Sequence, residues 1–154
     1  MPTLSPTGAA LIQRFEACRL AAYPDPATGG APWTIGWGST GKDIHQGLTW
    51  TQAQADARFQ ADAAHLAAGV AALLGDAPAS QNQFDALCCF AYNVGLGNLK
   101  ASTLLRHHCA GHPAQAAAEF ARWNKAAGKV LAGLSKRRAA EAALYLNNPS
   151  ATAR

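Results

Sequence analysis

Hydrophobic residues recur at helical spacing over most of the chain. Ile12 and Phe15 sit three apart on one face of a first helix that starts at Ser5. Pro6 takes its first helical position, where a missing amide costs little. Phe59, Ala63, Leu66 and Val70 repeat at the same period behind Thr49-Trp50-Thr51-Gln52, which reads as a capping box. A second box, Ser80-Gln81-Asn82-Gln83, opens a buried stripe through Phe84, Leu87, Cys88, Ala91 and Val94, and Gly95 and Gly97 end it. Further helices are predicted over residues 102–109, 113–123 and 135–146.

One segment breaks this period. Residues 23–47 are rich in glycine and proline and contain Trp33-Thr34-Ile35-Gly36-Trp37-Gly38, which predicts a small irregular β region with tight turns. The pattern gives an α+β, mostly α-helical class. We expect a single domain over residues 1–154, with a small β-containing lobe at about 17–50 and a helical lobe at about 51–146. A cleft between two such lobes is the natural place for a site.

Composition narrows the classes. Apolar residues make up 49% of the 154, which excludes a disordered chain. Charged residues are only 14%, and the abundant alanine favours helix. The net charge of +4 is compatible with nucleic acid, a membrane surface or an anionic cell wall, and equally with an ordinary solubility charge. The first eight residues have neither a basic start nor an apolar stretch, and no run approaches the roughly 20 apolar residues of a membrane span. The expected product therefore accumulates in the cytoplasm of the cell that makes it. Cys18, Cys88, Cys89 and Cys109 lack paired metal-site spacing and read as small buried hydrophobes. Cys88 and Cys89 point about 100° apart on a helix, so at most one faces a given core.

Cleaving a glycosidic bond needs a proton on the leaving oxygen and a carboxylate or activated water at the anomeric carbon. Only nine acidic residues exist to supply this chemistry. Glu16 stands at the end of an apolar helix, where a half-buried carboxyl holds its proton more readily, as a general acid requires. Asp25 follows in Tyr23-Pro24-Asp25-Pro26, where a solvated turn keeps a carboxylate ionised. By themselves, Glu16 reads equally as a surface helix residue and Asp25 as a turn former.

The segment from Phe15-Glu16-Ala17-Cys18-Arg19 to Tyr23-Pro24-Asp25, followed by Thr34-Ile35-Gly36-Trp37-Gly38, resembles the active-site block of phage-type lysozymes, glycoside hydrolase family 24. Three further segments resemble the same family in the same order. They are Gln83–Leu87 with Phe90-Ala91-Tyr92-Asn93-Val94-Gly95, then Ser102-Thr103-Leu104-Leu105, then Phe120–Asn124 with Val130–Leu134 and Arg137–Glu141. The resemblance covers residues 5–146. It implies that Glu16 is the general acid, Asp25 the second carboxylate and Thr34 the hydroxyl that positions the attacking water, a division that fits an inverting mechanism.

The chain departs from the family pattern twice. Asp25 and Thr34 are further apart than usual, with the additional residues in Ala27-Thr28-Gly29-Gly30-Ala31-Pro32, and Ser39 stands where the family often has histidine. Trp33 and Trp37 suit either stacking on sugars or packing of the small lobe, and Trp37 is the candidate substrate-binding residue. Tyr92 and Asn93 end the core helix. His107, His108 and His112 lack the partners a metal site needs, so neither a metal nor a cofactor is expected. Lys136, Arg137 and Arg138 form a basic run that reads as a solvated face or as an attraction to an anionic wall or lipid surface.

The resemblance implies an endolysin that hydrolyses the β-1,4 bond between N-acetylmuramic acid and N-acetylglucosamine in bacterial peptidoglycan. It would be made in the host cytoplasm without a signal peptide and reach the wall from the periplasm after a holin-type membrane lesion. Its partners are glycan strands, with no nucleic acid, no stable membrane insertion and a monomeric state. A lytic transglycosylase needs Glu16 but neither Asp25 nor Thr34. A non-enzymatic wall- or membrane-disrupting protein would work through the basic final helix, and a catalytically dead wall-binding domain would bind without turnover.

Overall fold

The structure, a computed structural model, describes residues 1–147. Helix α1, Pro6–Phe15, begins as the sequence reads, with the Ser5 hydroxyl accepting from the Gly8 amide at 3.2 Å. Strands β1, Arg19–Tyr23, and β2, Thr34–Gly36, pair antiparallel. The β region thus starts before Tyr23, at Arg19. Helix α2 spans Gln52–Leu74, followed by α3, Gln81–Val94, α4, Leu96–Ala101, α5, Thr103–Cys109, and α6, Pro113–Glu119. A two-stranded ribbon of β3, Lys125–Ala126, and β4, Lys129–Val130, precedes α7, Ala132–Leu146. The α+β, mostly helical class holds.

Residues 10–65 form one compact unit, and residues 1–9 with the described residues from Leu66 to Asn147 form another. In the first unit, Ile35, Ile44, Ala55 and Phe59 are buried. In the second, the core gathers Val70, Leu74, Phe84, Leu87, Phe90, Leu99, Leu104, Phe120 and Tyr145. No helix among the described residues is long and apolar enough to cross a membrane.

Several boundaries differ from the sequence reading for local reasons. The first capping box lies two residues later. Thr51 Oγ1 accepts from the Gln54 amide at 3.2 Å, and Gln54 Oε1 accepts from the Thr51 amide at 2.8 Å. Thr49 is unavailable because it bridges Ala21, and Trp50 donates its amide to the Leu20 carbonyl at 2.8 Å. The chain is still extended there. The second box, Ser80 with Gln83, forms as read. Gly95, at φ +92°, ends α3, whereas Gly97 lies inside α4 rather than ending a helix.

The helix predicted to reach Trp123 stops at Glu119 and tightens into a 3₁₀ turn over Phe120–Arg122. Three residues per turn place Phe120 and Trp123 on one side. Both rings meet Phe90 edge-on, at 5.5 and 5.4 Å between centroids. The ribbon that follows was not predicted. Its turn residues Ala127 and Gly128 both have positive φ, as a two-residue hairpin of type I′ requires, and alanine gives no signal for that conformation. Ser135 is not the start of α7, which begins three residues earlier. Its hydroxyl accepts from the Asn124 side chain at 3.2 Å within the helix.

Candidate active site

Glu16 follows the last residue of α1 and continues its hydrogen bonding, its amide donating to the Ile12 carbonyl at 3.0 Å. Ile12 is fully buried and Glu16 half-buried, so the apolar face of α1 delivers the carboxyl to a partly enclosed position. Three residues later β1 begins. Its five residues oppose only three of β2, since Arg19 pairs with Gly36 and Tyr23 with Thr34. A strand irregular in this way bends locally, and here it is the segment between Glu16 and Asp25.

Asp25 organises the turn after β1. Its Oδ1 accepts from the Ala27 amide at 2.9 Å, and its carbonyl accepts from the amides of Thr28 and Gly29 at 3.2 and 2.8 Å. Its own amide donates to the Gly30 carbonyl at 2.9 Å, and the Thr28 hydroxyl donates to the Ala31 carbonyl at 2.9 Å. The additional residues between Asp25 and Thr34 therefore close on themselves. Thr34 returns directly opposite Tyr23, two residues before Asp25. The turn engages one Asp25 carboxylate oxygen, and Thr34 is half-buried at the start of β2. Turn former and solvated carboxylate are thus compatible roles for one residue.

Gly36 has φ +65°, and a β-carbon on it would meet the Trp50 ring at 3.1 Å, so neither backbone nor space admits a side chain. Beyond it, Trp37 donates its indole N–H to Asp56 Oδ1 at 2.8 Å and lies 6.3 Å from the Phe59 ring. Ser39 is buried, exchanges backbone bonds with Ile35, and donates its hydroxyl to Asp62 Oδ2 at 2.7 Å. Asp62 also pairs with Arg58 at 3.0 Å, which reaches Asp43 at 2.8 Å and the Thr40 carbonyl at 3.1 Å. These bonds hold the Asp43 carboxyl below the usual carboxylate range and raise Arg58. Serine at the departed position still ties the β segment to α2.

Sequence reasoning overlooked this network and the one around Asp56. The available signal was the i,i+4 spacing of Arg58 with Asp62 and of Gln52 with Asp56 on α2.

With this geometry described, similarity to known proteins decides the family. The family model for phage lysozyme matches residues 13–141. The chain belongs to the phage lysozyme family. An endolysin of Bacillus phage B103 is 44% identical over 147 residues, covering 96% of this chain and 55% of the relative. An endolysin of Acyrthosiphon pisum secondary endosymbiont phage 1 is 41% identical over 92% of this chain and 97% of its own length. Among solved structures, the muramidase domain of SpmX from Asticaccaulis excentricus is 34% identical with a TM-score of 0.86, covering 96% of this chain and all of that one. The chain thus spans about half the length of the phage B103 relative and nearly all of the other two.

In this chain the two arginines of the basic run are not surface residues. Lys136 is exposed, but Arg137 is 3% and Arg138 0% exposed. Arg138 Nε lies 2.7 Å from Glu141 Oε1, its guanidinium stands over the Phe90 ring, and Arg137 donates to the Cys89 carbonyl at 2.9 Å. Neither a solvated face nor wall attraction describes these two arginines. They turn inward because the i,i+3 and i,i+4 spacing to Glu141 gives them a buried counterion.

Of the four free cysteines, Cys88 and Cys89 are buried, Cys18 is half-buried and Cys109 exposed, so the buried-hydrophobe reading fits only the first two. Burial pushes the Cys88 thiol up to about 12 and raises Cys89 as well, which leaves both unreactive. His108 is buried against the Tyr145 hydroxyl at 2.6 Å, with its pKa lowered by burial.

Proposed function

We propose that this chain is the catalytic part of an endolysin that hydrolyses the β-1,4 bond between N-acetylmuramic acid and N-acetylglucosamine in peptidoglycan. The carrying observation is the phage lysozyme match over residues 13–141, which encloses Glu16, Asp25 and Thr34. The relatives named endolysin and the neighbour named a muramidase domain support the same substrate.

Glu16 acts as the general acid and protonates the leaving oxygen. Asp25 acts as the second carboxylate, and the Thr34 hydroxyl orients water between the carboxylate and the anomeric carbon. The pairing of Tyr23 with Thr34 supports this, since it brings the hydroxyl residue to the end of β1 that leads into Asp25. Trp37 offers an aromatic face to a sugar. The chain forms one catalytic domain. It works as a monomer and reaches the wall after a holin-type lesion opens the membrane.

The test is the chemistry of the product ends. Purified peptidoglycan digested to completion and analysed by mass spectrometry yields reducing N-acetylmuramic acid ends under this reading. Ends of 1,6-anhydro form would instead make the chain a lytic transglycosylase.

A further inference from the structure

The geometry points to Asp56 as a positioning residue that sets how firmly Trp37 holds a glycan strand. The inference rests on the reading of Trp37 as sugar-binding. An indole N–H can only donate, and that of Trp37 donates to Asp56 Oδ1 at 2.8 Å. Asp56 and Phe59 lie three apart on α2 and so share a face. One helix therefore gives Trp37 a polar anchor and an aromatic support, with Phe59 at 6.3 Å.

The anchor is itself held. Gln52, one turn earlier on α2, donates its amide to the same Oδ1 at 2.9 Å. That amide also donates to Cys18 Sγ at 3.6 Å, two residues after Glu16. A chain of polar contacts thus runs from the residue beside the α1 end, through α2, to the tryptophan after β2. The bonds from Trp37 and Gln52 keep the Asp56 carboxyl below the usual carboxylate range, so it remains an ionised acceptor at neutral pH.

Burial does not demand this arrangement, because Asp56 is exposed and water would satisfy it equally well. The bond instead fixes the indole in one orientation before a ligand arrives. A preordered ring loses less freedom on stacking against a sugar, which tightens binding without touching the bond being broken. Such an effect on uniform binding changes KM and leaves kcat alone.

The experiment measures initial rates on soluble glycan strands prepared from peptidoglycan, with thermal unfolding as the check on folding. Asp56→Ala raises KM about fivefold with kcat within about twofold, the scale of one net hydrogen bond at an exposed position. Asp56→Asn keeps an acceptor oxygen and restores KM. In ¹⁵N-tryptophan spectra, the Trp37 indole resonance is the one missing from Trp37→Leu. It shifts in Asp56→Ala and stays in place in Asp56→Asn.

Trp37→Leu keeps apolar bulk against Phe59 and raises KM. An unchanged KM in that variant removes Trp37 from the sugar site and overturns the underlying reading. A raised KM in Trp37→Leu with an unchanged KM in Asp56→Ala overturns the role of Asp56 alone. A fall in kcat matching the fall in kcat/KM in Asp56→Ala also overturns it, since the residue would then act in the transition state.

Discussion

Ser39 shows how much one hydroxyl carries. It is buried and donates to Asp62, which Arg58 also holds, so the β segment is pinned to α2 through a charged acceptor. Ser39→Ala is expected to lose about 1.5–3 kcal/mol of stability in urea unfolding, the scale of a hydrogen bond to a charged group. An unchanged midpoint would show that the bond is replaced by water. At this scale the sequence was informative about residue types and blind to partners. Glu16, Asp25 and Thr34 stood out as candidates through spacing and resemblance, and Trp37 as an aromatic suited to stacking on a sugar. Asp56 and Asp62 did not, because a carboxylate on a helix face shows no partner until the segment that meets it is known.

Helix ends and helix faces show the next level of control. The start of α2 was predicted in kind but shifted by two residues, because Thr49 and Trp50 are still paired with β1. A hydroxyl followed three residues later by glutamine occurs twice in succession here, and only tertiary pairing selects between the two. Thr51→Ala should therefore cost about 1 kcal/mol, the typical worth of an N-cap. Thr49→Ala should stay within about 0.5 kcal/mol, as surface substitutions do. Equal losses in thermal unfolding would contradict the observed register.

On α7, Arg137, Arg138 and Glu141 reverse the expectation of a solvated basic face. Their charge was legible and their burial was not, since hydrophobic period alone assigns arginine to the outside. Removing the acid leaves two buried guanidinium groups beside an unoccupied counterion position. Glu141→Ala is therefore predicted to destabilise by about 3–5 kcal/mol in chemical denaturation. A loss below about 1 kcal/mol would mean that the arginines reach solvent without it.

For the whole molecule, the succession of one helix, a small β region and a run of helices was legible from the switch in hydrophobic period. The family followed from four motif blocks in order, and the match over residues 13–141 carries that identification. The β3–β4 ribbon was invisible, because Ala127 adopts a conformation that the sequence does not announce.

Global stability also carries a pH signature. Burial lowers the His108 pKa, so the unfolded chain takes up that proton first as pH falls. The contribution is complete above the unfolded value of about 6.5 and is lost progressively below it. Thermal unfolding at about pH 7.5 and about pH 5.5 should show a decline on acidification that is smaller in His108→Gln. An identical decline in both would remove His108 as its source.

The central claim is that Glu16 and Asp25 divide the work on one glycosidic bond. The most direct measurement is the rate of release of reducing ends from purified peptidoglycan by the wild-type chain, Glu16→Gln and Asp25→Asn, each shown to be folded. Both variants are predicted to lose about 100-fold or more, the scale of a removed general acid or base. Full activity in folded Glu16→Gln would contradict the assignment of the acid, and full activity in folded Asp25→Asn would contradict the two-carboxylate mechanism.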